Sequence, residues 1–166
     1  MKSILKAKYK DLDELEIILL EQKQYLKKTN IPQWQGIYPS RDTLKNDIDN
    51  GILYVIKDEN KCIGFFALVY PDPNYLYIEN GKWLIDSPYI AVHRMAITSA
   101  YKGQGIAKIA FDYLKNKYNH IRIDTHALNN SMNRCLIKND FVYCGTVYME
   151  DKTKRNAYEW FKKDSL

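Results

Sequence analysis

Three polar side chains and one glycine turn carry the chemistry that this sequence offers. His93 stands in an apolar run, Tyr89–Ile97, while Asp124 and His126 stand two residues apart in a second one, His120–His126. An imidazole has an ordinary pKa of about 6.5, which suits a group that takes up a proton at neutral pH. A carboxylate next to a histidine raises its pKa and fixes its tautomer, as in many acid–base pairs. The glycine turn, Lys102-Gly103-Gln104-Gly105-Ile106-Ala107, follows the first run and opens a helical pattern, Gly105 to Lys117. A strand that passes through a tight turn directly into a helix leaves several backbone N–H groups unpaired. With the positive end of the helix dipole they form a site for a phosphate or pyrophosphate group. Glycines at 103 and 105 let the backbone approach such an anion. An ordinary strand-to-helix turn has the same composition, and Gly-x-Gly alone does not separate the two.

The turn is not a Walker loop, because the Gly-Lys-Ser/Thr ending is missing. Nor is it a good dinucleotide fingerprint, since a third glycine is lacking and the strand lies late in the chain. It resembles the acetyl-CoA pyrophosphate loop of the GNAT superfamily of N-acetyltransferases, Arg/Gln-x-x-Gly-x-Gly/Ala, read here as Lys102-x-x-Gly105-x-Ala107. Lysine at the first position keeps a donor but loses the planar fork of arginine. Downstream, Asn129-x-x-Met132-x-x-x-Leu136-x-x-x-Asp140-Phe141 is similar to the superfamily's Asn-x-x-Ala-x-x-x-Tyr-x-x-x-Gly-Phe segment. Trp34-Gln35-Gly36-Ile37-Tyr38-Pro39, His93-Arg94-Met95-Ala96 and Asp124-Thr125-His126 look like elements of a bacterial branch of that family. The resemblance covers nearly the whole chain. It implies the GNAT acyl-CoA N-acyltransferase fold in one domain, residues 1–166.

The resemblance also implies an activity: direct transfer of an acetyl group from acetyl-CoA to a primary amine of a small molecule or peptide. It places the cofactor anchor at Lys102, Gly103, Gln104, Gly105, Ile106 and Ala107. It sets the backbone of Met95, Ala96 and Ile97 along the pantetheine arm, where N–H and C=O groups pair with its amides like an added strand. Asn129, Asn133 and Arg134 become further cofactor contacts, although each serves equally well as a polar helix residue. His93 occupies the position at which many members carry a glutamate base. It fits that role, or that of a core histidine bonded to a carbonyl or orienting Arg94. By period-two alternation, residues 89, 91, 93, 95 and 97 share one face of their strand, and Arg122, Asp124 and His126 share one face of the next. Asp124 and His126 are then candidates for lining the amine pocket, or members of a solvated sheet face. Trp34 and Tyr38 are candidates for the pocket's far wall, or an aromatic lid on the core. The family often places a tyrosine proton donor where this chain has Leu136, which cannot donate. That departure keeps open a non-catalytic, acyl-CoA-binding regulator on the same scaffold.

The elements that must position these residues follow from local patterns. Ser3–Ala7 reads as a strand, and Asp11 with Glu14 as a capping pair for a helix to about Lys28. Ser40 caps a second helix that ends at Asn50-Gly51. Leu53–Lys57 and Cys62–Val69 form a hairpin about Asp58–Lys61. Pro71–Asn74 breaks the pattern, and Tyr75–Asp86 is expected to be an irregular hairpin. In the helix after the glycine turn, Ile106, Ile109, Ala110, Tyr113 and Leu114 repeat at helical spacing and bury one face. Strands are expected at His120–His126, Phe141–Tyr148 and Ala157–Phe161, with a helix at Asn130–Asn139. The sum is an α+β fold: a mixed, mostly antiparallel sheet flanked by helices.

Composition agrees. The 166 residues are 46% apolar and 27% charged, which fits one globular domain with a proper core. The net charge of +5 is spread over the chain, without a basic block, zinc spacing or aromatic RNA-binding motif. That argues against nucleic acid as a partner. No stretch is long and apolar enough to span a bilayer. Three cysteines at 62, 135 and 144 lack metal-like spacing, so no metal is expected and a reduced, cytoplasmic setting is. A homodimer is compatible with all of this.

Overall fold

The computed structural model describes residues 1–165. Leu166, the last residue of the expected domain, lies outside the described residues. Among the described residues, seven strands pair in the order β1-β2-β3-β4-β5-β7-β6. They are Lys2–Lys6 (β1), Leu53–Asp58 (β2), Lys61–Val69 (β3), Ile90–Ile97 (β4), His120–Thr125 (β5), Val142–Tyr148 (β6) and Lys154–Phe161 (β7). The described residues also form four α-helices: Leu12–Lys28 (α1), Arg41–Asp49 (α2), Ile106–Lys117 (α3) and Asn130–Lys138 (α4). The sheet is mixed, with β4 and β5 parallel and the β1–β2, β2–β3, β5–β7 and β6–β7 pairs antiparallel. The chain divides into two compact units, residues 1–68 with 94–110, and residue 69–93 with the part from Phe111 onward. Strand β4 and helix α3 each contribute residues to both.

In the first unit, α1 repeats Leu12, Leu15, Ile18, Leu19 and Leu26 along one side, and all five are buried. Leu15 and Leu19 join Leu44 of α2 and Leu53, Val55, Phe65 and Ala67 of the β2–β3 hairpin in one cluster. Each such side chain stabilises the unit by about 1.5–3 kcal/mol relative to exposure. Asp11 stands at the N-cap of α1 as the sequence suggests, but its side chain makes no capping hydrogen bond there. Its carboxylate accepts from the Lys8 N–H at 2.9 Å and pairs with Lys57 at 2.8 Å. Glu14 likewise turns away from the helix end and accepts from the Cys62 N–H at 3.0 Å. Long-range partners outcompete the local cap because the carboxylates sit against a sheet that offers donors. The second helix behaves as expected: the Ser40 N–H donates to Thr43 Oγ1 at 3.0 Å, and Gly51 closes the C-terminal end with φ +68°.

In the second unit, β5 pairs with β7 over six residues and with β4 over Ile90–Val92 against Ile121–Ile123. Strand β7 starts at Lys154, three residues earlier than the apolar pattern indicates. Helix α4 is capped by Asn129, whose side-chain oxygen accepts from the Met132 N–H at 3.2 Å. The expected hairpin over Tyr75–Asp86 is not formed. Pro73–Tyr75 is a single 3-10 turn, and Glu79 makes an isolated bridge to Thr146. Side chains fasten this segment instead. Trp83 Nε1 donates to the Tyr75 carbonyl at 2.8 Å, and the Leu84 N–H donates to Glu159 at 2.7 Å. Arg122 donates to the Ile85 carbonyl at 2.8 Å. Glu159, fully buried, also receives His120 Nε2 at 2.7 Å and Arg122 Nε at 3.0 Å. Burial pushes the Glu159 carboxyl up, but its hydrogen bonds from His120, the Leu84 N–H and Arg122 outweigh that and leave it below the ordinary value.

Candidate active site

In the second unit, His93 lies between two carboxylates. Its Nε2 is 2.6 Å from Asp72 Oδ2, and its Nδ1 is 4.0 Å from Asp124 Oδ2. The His93 side chain keeps 19% of its surface exposed, against 5% for Asp72 and 7% for Asp124. The imidazole is therefore reachable while its acidic neighbours are not. Asp72 is fixed from several sides: Oδ1 accepts from the Asn74 N–H at 2.9 Å, and the Asp72 N–H donates to the Tyr89 hydroxyl at 3.2 Å. Burial raises its carboxyl pKa, but the His93 contact and the Asn74 N–H bring it below the ordinary value. Asp124 goes the other way. Its burial dominates and raises it, against the pull of His93, the Tyr75 hydroxyl and Arg155. Tyr75 donates to Asp124 Oδ2 at 2.6 Å, and Arg155 Nε stands 3.9 Å from Oδ1. Burial beside Asp124 drives the Tyr75 phenol well above its ordinary pKa, so it stays a donor. Its ring also lies beside the imidazole, with centroids 5.9 Å apart.

Sequence reasoning paired Asp124 with His126, and here the structure differs. Asp124 meets His93 and Tyr75, while His126 falls just beyond the end of β5. There its Nδ1 accepts from the Leu128 N–H at 3.1 Å. Partial burial, with Arg155 adding to it, lowers the His126 pKa. The alternation expected along Tyr89–Ile97 also breaks. Arg94 adopts φ +52°, an unusual conformation for a non-glycine residue, and shifts the face on which later side chains fall. Ala91, Val92, Met95 and Ala96 are buried, with His93 and Arg94 less so. Asp72, Tyr75 and Arg155 were not singled out. Asp72 sits in Pro71-Asp72-Pro73-Asn74, whose only local signal is a turn.

In the first unit, Arg94 forms a two-pronged ion pair with Asp47, at 2.7 and 2.9 Å, and donates to the Tyr38 hydroxyl at 2.9 Å. Trp34 packs against the α1–α2 core cluster. The Thr98 N–H donates to the Ile63 carbonyl of β3 at 2.8 Å. By strand alternation the backbone of Ala96 also faces β3, and that of Met95 and Ile97 faces the opposite edge. The glycine turn is fastened at its entrance. Glu21 of α1 accepts from Thr98 Oγ1 at 2.8 Å and from Ser99 Oγ at 2.6 Å. Tyr101 donates to Asp58 at 2.8 Å, and the Lys102 ammonium lies 3.7 Å from the centre of the Tyr25 ring. Gln104 Nε2 donates to the Ala100 carbonyl at 3.0 Å. Gly103 and Gly105 both take φ +78°, and a Cβ built on either would meet nothing within 4 Å. The glycines are thus required by conformation, and open space lies over them. The first N–H groups of α3, on Ile106 and Ala107, have no acceptor within their own helix. Backbone donors at a helix start with open space above suit a phosphate-bearing ligand such as CoA.

The remaining expected cofactor residues lie in the second unit. Asn129 caps α4. Asn133 donates to the His126 carbonyl at 3.1 Å and to the Asn129 carbonyl at 2.8 Å. Its oxygen accepts from Asn156 at 3.0 Å and from Tyr158 at 2.6 Å. Arg134 is exposed on α4, and Leu136 is fully buried.

Residues 18–138 match the model of the acetyltransferase (GNAT) family. The chain belongs to the GNAT family of acetyltransferases. A GNAT-family acetyltransferase from Streptococcus agalactiae 2603 shares 30% identity, with a TM-score of 0.91 over 98% of this chain and 96% of that one. At lower identity, other solved structures show the same fold. One from Bacillus cereus ATCC 10987 is 20% identical with a TM-score of 0.67 over 98% of each chain. Ard1 from Thermoplasma volcanium is 11% identical with a TM-score of 0.68, over 96% of this chain and 97% of that one. Comparison with curated proteins gives no match. As a GNAT protein the chain belongs to a family of acyl-transfer enzymes that use acetyl-CoA. Among the described residues no helix is long and apolar enough to cross a membrane, and no group of three or more His, Cys, Asp or Glu side chains is placed to hold a metal ion.

Proposed function

We propose that this protein is an N-acetyltransferase that acetylates a primary amine of a small molecule or peptide, with residues 1–166 acting as one catalytic domain in the cytoplasm. Acetyl-CoA, when bound, supplies an acetyl group activated as a thioester. The 102–107 turn would hold its pyrophosphate through backbone N–H groups, and Met95 and Ile97 would pair with its amide-bearing arm through the strand edge that faces away from β3. His93 takes the proton from the incoming ammonium, so that the neutral amine can attack. Asp124 and His126 line the amine's approach. Leu136 supplies no proton, and the departing thiol is only moderately basic, so thiolate release needs no side-chain acid. Cys62 and Cys144 take no part, since burial pushes both thiols up to about 12.

The observation that carries this reading is the imidazole of His93, reachable and held by Asp72, two residues before the Met95–Ile97 strand of a GNAT chain. The test is thermal unfolding with acetyl-CoA and CoA, run beside an amine panel scored by thiol release. A stabilisation of several degrees with turnover on at least one amine is expected. Stabilisation without thiol release on any amine would replace the enzyme by an acyl-CoA-binding regulator. No shift with either ligand at millimolar concentration would remove the cofactor site.

A further inference from the structure

The contact between His93 and Asp72 has a direction. A ring nitrogen 2.6 Å from a carboxylate oxygen needs a proton between them, and one of the two groups must donate it. Asp72 is built to accept. Its second oxygen already takes the Asn74 N–H at 2.9 Å, its carboxyl lies below the ordinary range, and its turn is pinned through the Tyr89 hydroxyl. The proton therefore belongs to Nε2, and in the neutral ring the lone pair belongs to Nδ1. That nitrogen is 4.0 Å from Asp124 Oδ2, beyond direct hydrogen-bond distance. Asp124 Oδ2 is meanwhile engaged by the Tyr75 hydroxyl at 2.6 Å.

We infer that Asp72 is the positioning residue of the reaction: it fixes His93 as the Nε2–H tautomer and makes Nδ1 the atom that accepts the amine's proton. The inference rests on His93 being the base. The step balances without a further reactant. The N–H bond of the ammonium breaks, an N–H bond forms at Nδ1, and the nitrogen lone pair is freed for attack. The doubly protonated ring is then held by Asp72 through Nε2–H and faces Asp124 through Nδ1–H. Asp72 never takes the proton itself.

The tautomer is readable without turnover. In ¹⁵N-labelled protein at a pH where the ring is neutral, the His93 resonances, assigned by comparison with His93→Gln, should show a protonated Nε2 and an unprotonated Nδ1. In Asp72→Asn the amide oxygen retains the Asn74 N–H while the amide NH₂ faces Nε2, so the ring should switch to the Nδ1–H form. Turnover should then fall by about 10³-fold or more, the scale seen when an orienting carboxylate becomes an amide. The KM for acetyl-CoA should stay unchanged. An Nδ1–H ring in the unaltered protein would overturn the inference whatever the variant does, including if Asp72→Asn fails to fold. A kcat for Asp72→Asn within threefold of the unaltered enzyme would also overturn it. Full turnover by His93→Gln would overturn the base itself and this inference with it, whereas an Nδ1–H ring in a protein that loses turnover in His93→Gln overturns the inference alone.

Discussion

His93 Nε2 stands 2.6 Å from Asp72 Oδ2 across 21 residues of sequence, and the same ring directs Nδ1 toward Asp124 at 4.0 Å. One carboxylate holds the imidazole by a short hydrogen bond; the other leaves a gap too long for one. Burial separates the two acids further, since Asp72 ends below the ordinary carboxylate range and Asp124 above it. An asymmetric pair of this kind orients a proton acceptor and gives it a face on which to work.

Replacing His93 by Gln should lower kcat by about 10²–10⁴-fold, the usual contribution of a positioned base. Stabilisation by acetyl-CoA should persist, because the glycine turn is untouched. Steady-state kinetics beside a thermal-shift titration check both halves. A kcat within threefold of the unaltered enzyme would exclude the role.

Gly105→Val forces a branched side chain to adopt φ +78°. The strain should cost about 1–3 kcal/mol in stability. With open space above the glycine, the cost is conformational, so it should appear in apo protein too. Acetyl-CoA should no longer shift the unfolding temperature. An unchanged ligand shift would mean that the turn is not the anchor.

Asp124→Asn should stabilise the apo protein at neutral and alkaline pH while impairing turnover. The carboxyl pKa is raised in the folded state, chiefly by burial, so folding favours its protonated form. That favourable contribution is complete below the unfolded-state pKa and disappears as pH rises through the folded-state value. Asparagine carries no charge to be desolvated. The two proteins should therefore unfold at nearly the same temperature in acid and diverge as pH rises, with the variant higher. Divergence in the other direction would show that the ionised form is well paired.

Asp47→Ala leaves the Arg94 guanidinium without its two-pronged partner in a largely buried place. Breaking one side of a buried pair typically costs about 3–5 kcal/mol. Denaturant unfolding measures it. With Asp47 in place, Arg94→Lys should also lose stability, because an ammonium cannot reproduce the planar fork on that carboxylate.

Much of the architecture was legible where a local rule acts alone. The apolar repeat of α1, the Ser40 cap, the Gly51 terminus and the strand–turn–helix unit around Gly105 are each written within a few residues. The failures share a cause. The Asp11 side chain was read as a capping group and instead meets Lys57, 46 residues away by their numbering. The Tyr75–Asp86 segment lacks hairpin pairing because its fastenings are single side chains, Glu159, Arg122 and Trp83, none of which leaves a periodic trace. Arg94 breaks the alternation because its side chain is drawn to Asp47 while its backbone takes a positive φ.

The sequence alone determined the family resemblance, the glycine turn and the position of His93, because periodicity, glycine conformation and motif spacing are local properties of the chain. Only the tertiary structure decided which acids attend that histidine. Asp72 comes from a turn with no periodic signal and Asp124 from the neighbouring parallel strand. Their hydrogen bonds, and the burial that drives their pKa values apart, exist only once β4 and β5 are side by side.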